Sequence, residues 1–140
     1  MSQGRTQSRP LVATAERVAV GWGPTAGRIL LGLVLAWFGY HELMQPSLWT
    51  GYVPVLGRTS ALATVLVLGH GWLLLVLAVA LVAGIVPRLA AAITAVLILQ
   101  IVITLTVTGG LSDLTMRDIG VLGLAICLTG KGEHRLVLEG

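Results

Sequence analysis

Residues 59–87 read TSALATVLVLGHGWLLLVLAVALVAGIVP and contain no Asp, Glu, Lys or Arg. A helix needs about 20 apolar residues to cross the hydrocarbon layer of a bilayer, so this stretch is long enough for a full crossing. Only His70 and a few hydroxyl groups interrupt it. Pro87 and Arg88 then predict a tight turn, and residues 89–112 are again uncharged, with Gln100 and several threonines inside. Two uncharged stretches of this length, joined by a short turn, predict a pair of helices buried in lipid.

The flanking segments are less apolar. Residues 29–40 are uncharged for only twelve positions and must borrow 25–28 and 41–44 to reach spanning length; residues 119–130 likewise need 113–118. Each outer span therefore brings its own ionisable groups. The expected fold class is all-α, an integral membrane four-helix bundle in one domain over 24–130. Its spans fall at about 25–44, 62–86, 89–111 and 113–130, with cytoplasmic tails at 1–23 and 131–140.

Composition supports this reading. Hydrophobic residues make up 56% of the chain and charged residues 11%, with a mean hydropathy of +0.93, whereas a soluble domain carries roughly 25% charged residues. The net charge of +3 comes from scattered basic residues with no cluster, which excludes nucleic acid as an expected partner. Cys127 is the single cysteine and sits in a Leu, Ile and Ala run. It offers neither a disulfide nor a paired metal or redox motif and reads as a small apolar residue. No metal-ligand spacing is present.

The first long apolar run begins only after Pro24, too late for a cleaved signal peptide. Residues 1–10 read as a flexible tail, and 11–20 as a short helix lying at the membrane surface. Loops retained in the cytoplasm are enriched in Lys and Arg. Four spans place Arg5, Arg9, Arg17, Arg28, Arg88, Lys131 and Arg135 on one side, and Arg58 and Arg117 on the other. Both termini are therefore expected in the cytoplasm, with the chain in the cell membrane. The 45–61 connection then faces outside. Its Trp49 and Tyr52 read either as headgroup anchors or as a lid over a ligand.

Charges inside a bilayer are costly and face a partner or a cavity. In this arrangement His41 and Glu42 reach the outer end of the first span, and Asp113, Arg117 and Asp118 occupy the outer end of the fourth. His70 lies about two turns into the second from the same side, at roughly 1.5 Å per residue. On a helical wheel Arg28, Gly32, Leu35, Gly39 and Glu42 share a face, and Gly32 and Gly39 admit a close neighbour. Asp113, Arg117, Gly120, Leu124 and Cys127 form the matching stripe, with Asp113 and Arg117 spaced as an i to i+4 pair. Arg117 is the expected counter-ion of Glu42. Gln100, Thr104 and Thr108 share a face of the third span and serve either to bond across the bundle or to line a polar pocket. His70 reads as an interhelical hydrogen bond or as part of a site. The cluster as a whole either locks helix ends at the water interface or forms a polar mouth for a quinone head group or small anion.

The segments RILLGLVLAWFGYHELMQPSLWTGYVP, GHGWLLLVLAVALVAGIVPRLAA and MRDIGVLGLAICL resemble the DoxX family over about residues 26–130. The resemblance rests on Arg28, Phe38 and Gly39, the tryptophan and Gly51-Tyr52-Val53-Pro54 of the loop, Gly84 with Arg88, and Arg117-Asp118. It implies a compact four-helix membrane bundle. In some relatives it implies a small subunit of a thiosulfate:quinone oxidoreductase or a partner of proteins handling thiol stress. The chain departs from the family at Glu42, where many relatives carry lysine, and near Leu74, where an acidic residue is expected. The expected cofactor is at most a bound quinone. The expected partners are the lipid bilayer and either membrane proteins or further copies of the chain, and any enzymatic role is that of an oxidoreductase subunit. The rival expectation is a non-catalytic accessory subunit of a larger membrane complex.

Overall fold

The computed structural model describes residues 8–53 and 55–130. The C-terminal tail expected at 131–140, the first seven residues and Pro54 of the loop motif lie outside the described residues. Four long helices and one short one account for most of what is described: α1 (Ser8–Met44), α2 (Pro46–Trp49), α3 (Ala61–Ala83), α4 (Pro87–Gly109) and α5 (Asp113–Gly130), with a 3-10 turn at Thr50–Tyr52.

The seam between α1 and α3 is built by absent side chains. A Cβ at Gly39 would stand 2.7 Å from the Gly71 carbonyl oxygen, and one at Gly32 would stand 2.7 Å from Val82 and 3.0 Å from the Ala78 carbonyl oxygen. As numbers rise along α1 they fall along α3, so the two helices are antiparallel. Their backbones touch more closely than any larger residue permits, which is how helices gain packing energy where lipid supplies no hydrophobic drive. α4 and α5 form the second antiparallel pair, tied at one end by the bond from Arg88 Nε to the Thr129 carbonyl at 3.3 Å. The two pairs meet each other over much smaller areas, α1 against α5 and α3 against α4. The apolar core at their meeting contains Leu31, Leu35, Leu74, Ile98, Ala125 and Leu128.

Three helices are long and apolar enough to cross a membrane: residues Pro10–Met44 of α1, α3, and α4. Large apolar side chains such as Leu33, Trp37, Trp72, Val79 and Val96 are exposed on their outer faces, as expected for a surface wetted by lipid rather than water. α5 carries Asp113, Arg117 and Asp118 in its eighteen residues and runs beside α4 for its whole length.

Three expectations change. The stretch at 11–20, expected as a short separate helix, is helical but continuous with the first span, because α1 runs on through Pro24. The 45–61 connection is not irregular throughout, because Pro46 opens α2, where its missing N–H costs nothing. The turn expected at Pro87 and Arg88 lies just before them. Gly84, at φ 76°, ends α3 with its N–H and that of Ile85 bonded to the Leu81 and Ala80 carbonyls, and Pro87 starts α4.

Candidate functional site

The end of the bundle at Glu42 holds a cavity of about 690 Å³ between the two helix pairs. Leu35, Leu74, Ile98, Leu105 and Val121 give it apolar walls, and polar groups enter from every long helix: His41 and Glu42, His70, Gln100 and Thr104, and Arg117 and Asp118. Trp49 and Tyr52 of the loop line the same space. Of the residues expected in a polar pocket, Thr108 is not in its lining, and neither is Asp113. It sits exposed in the first turn of α5, where an acid complements the helix dipole. The adjacent Ser112 Oγ accepts from the Thr115 N–H at 3.3 Å and caps that turn.

Glu42 and His70 are brought together by the glycine seam one turn away. Gly39 and Gly71 set the two backbones side by side, and the next turn puts Glu42 Oε2 2.8 Å from His70 Nδ1. Glu42 is 5% exposed. With the carboxylate as acceptor, Nδ1 carries the proton, and Nε2 is buried and without a hydrogen-bond partner among the described residues.

The expected pairing of Arg117 with Glu42 is therefore overturned. Arg117 lies on α5, across the cavity, and its Nε donates to Asp118 Oδ1 at 2.9 Å. Its guanidinium rests 4.7 Å from the Phe38 ring centre, a cation–π contact that holds it at the mouth. The Phe38 ring in turn meets the edge of Trp49 at 6.0 Å, and Trp49 meets Tyr52 at 6.3 Å. A continuous row from α5 through α1 to the loop thus covers one side of the cavity. The Asp113–Arg117 pair expected from i to i+4 spacing is absent from the described ion pairs, because Arg117 turns to Asp118 instead.

His41 points back along its own helix. Its Nδ1 donates to the Trp37 carbonyl at 2.8 Å, and its ring lies tilted against Trp37 with the ring centres 4.3 Å apart. Gln100 bonds Thr104 at 3.4 Å, and Thr108 bonds the Thr104 carbonyl at 2.8 Å. Both bonds stay within α4, so among the described residues the polar face of α4 does not tie the bundle together as one reading expected. Gly120 does not pack within the bundle: a Cβ there would meet nothing within 4 Å among the described residues.

Two features escaped sequence reasoning. Arg28 is 1% exposed and donates through Nη1 to the Leu81 carbonyl at 2.8 Å, which places a cation at the C-terminal end of α3, where the helix dipole favours one. The signal was a lone Arg on the glycine face, opposite the helix stop at Gly84. Gly71 was read only as a neighbour of His70, yet it is the other half of the seam. Among the described residues no three His, Cys, Asp or Glu side chains come together as a metal set. No protein-family model, curated protein or solved structure matches the chain.

Proposed function

We propose that the chain is a DoxX-like membrane protein whose cavity receives a quinone head group, and that it serves as a small subunit of a quinone-linked redox system acting on thiosulfate or thiols. In this reading all four long helices cross the cell membrane, both termini are cytoplasmic and the cavity opens at the outer face. The observation that carries it is the cavity itself. Its walls are largely apolar, and its polar groups include the Glu42–His70 pair on one helix pair and Arg117, bonded to Asp118, on the other. A flat ring with an oxygen at each side matches that layout. Arg117 donates to one oxygen, the Glu42–His70 pair exchanges a hydrogen bond or proton with the other, and the apolar walls take the ring and tail. The Trp49 and Tyr52 rings cover the bound molecule.

The experiment is direct. The purified chain in lipid nanodiscs is titrated with a short-tailed ubiquinone and a short-tailed menaquinone. Saturable binding is expected, with affinity reduced about tenfold or more, about 1.4 kcal/mol, by Arg117→Ala or Glu42→Gln. Unchanged affinity in both variants sinks the pocket reading.

One observation favours the accessory-subunit reading. Gly120, Gly123 and Cys127 lie exposed on α5, and space is open beyond both glycines, so the face facing away from the bundle offers a smooth strip for another membrane helix. Bulky substitution at Gly123 then removes co-purifying membrane partners while quinone binding survives. Partners retained by Gly123→Leu count against it.

A further inference from the structure

α1 is longer than a bilayer is thick. Its 37 residues rise about 55 Å at roughly 1.5 Å per residue, against a hydrocarbon layer of about 30 Å. The excess lies at one end. Arg28 stands level with the last turn of α3 through its bond to the Leu81 carbonyl, and Gly27 lies against Leu124 and Leu128 near the end of α5. Residues before Pro24 therefore run past the other described helices, and residues 10–20 are exposed throughout.

This overhang is two-faced. At about 100° per residue, Leu11, Ala15, Val18 and Trp22 fall in one stripe, flanked by Val12 and Ala19. The stripe continues the face on which Leu30, Leu33, Trp37 and Tyr40 are exposed beside the bundle. Thr14 and Arg17 fall on the other side, in line with the buried Arg28, Leu31 and Leu35, with Glu16 at the border. Val20 is the one large apolar residue on the polar side.

Pro24 also lies on the bundle-facing side. It offers no N–H to the Val20 carbonyl and its ring crowds that oxygen, so a helix opens on the proline side and bends away from it. Gly21 and Gly23 flank the site, and a Cβ at Gly23 would meet nothing within 4 Å. A bend opened at Pro24 would direct the overhang away from the bundle. A helix that leaves a bilayer and folds outward turns its outward face up against the headgroups, and that face is the apolar stripe.

We propose that residues 21–24 form a hinge and that residues 10–22 lie along the bilayer surface at the Arg28 end. Leu11, Ala15, Val18 and Trp22 are buried at the boundary of headgroups and acyl chains, with Thr14 and Arg17 toward water. The occupant of the stripe is lipid rather than a second chain. The stripe extends a face that already meets lipid, and the excess helix length has to be accommodated even by a single copy.

The test uses the full chain with Cys127→Ala, reconstituted at one copy per nanodisc of mixed zwitterionic and anionic phospholipid. An environment-sensitive fluorophore is attached at Val18→Cys or at Thr14→Cys. Blue-shifted emission and several-fold weaker quenching by an aqueous quencher are expected at 18 relative to 14. Adding Pro24→Ala, which returns the N–H and removes the ring, is expected to bring quenching at 18 up to the level at 14. Equal quenching at the two positions overturns the surface placement. Protection at 18 that arises only in discs holding two copies overturns the choice of lipid, and protection that persists in Pro24→Ala overturns the hinge.

Discussion

Glu42 shows how far one pair of residues sets the character of this site. A carboxylate 5% exposed is costly unless something answers its charge, and its described partner is the His70 imidazole at 2.8 Å. Removing that partner is worse than neutralising the acid. His70→Leu leaves a buried carboxylate facing an apolar group and is expected to cost about 3 kcal/mol or more. Glu42→Gln keeps an acceptor for Nδ1–H and is expected to cost about 1 kcal/mol. Thermal unfolding of both variants in the same detergent measures the difference. Equal losses would mean that the pair contributes only as a neutral hydrogen bond.

Among the elements, the α1–α3 seam matters most, because the site is assembled on it. A side chain at Gly39 must displace the Gly71 carbonyl, backbone that cannot swing aside. Gly39→Leu is therefore expected to lower stability by about 1–3 kcal/mol and to separate Glu42 from His70. Gly120→Leu places its side chain in open space and is expected to shift stability by no more than about 0.5 kcal/mol, the range of unremarkable surface positions. Denaturation of the two variants side by side reads the contrast, and a comparable loss for Gly120→Leu would mean that α5 packs on something there. Gly32 belongs with Gly39, and helix periodicity already grouped them; periodicity also grouped Gly120 with a packing face, and within the bundle that face has no neighbour at Gly120. A helical wheel orders faces but does not say which face has a neighbour.

For the whole molecule, the weak join between the two helix pairs leaves room for the cavity, and α5 decides how the chain is threaded. Three helices have the length and apolarity to cross; the fourth crossing depends on whether α5, with three charges near its Asp113 end, follows α4 back. Single cysteines read this out with impermeant thiol reagents on intact cells. Ser47→Cys and Ser112→Cys are expected to react from outside, and Ile85→Cys and Gly130→Cys only after the membrane is opened. Reaction at Gly130→Cys alone from outside would remove the fourth crossing and leave the other three.

What the sequence determined by itself is local: where the apolar stretches lie, that they are helical, that α5 begins at Asp113, and that Gly32, Gly39 and Glu42 share a face. These follow from hydrophobic length and a repeat near 3.6 residues, which any short window contains. It also grouped His41, Glu42, His70, Arg117 and Asp118 at one level, because depth along a span is a matter of counting residues. Only the tertiary structure decided who meets whom. Glu42 bonds His70 and not Arg117 because the Gly39–Gly71 contact draws α1 against α3, while Arg117 stands across a cavity on the other pair. Charge alone made Arg117 the better partner; the distance between backbones, set by residues with no side chain, made it His70.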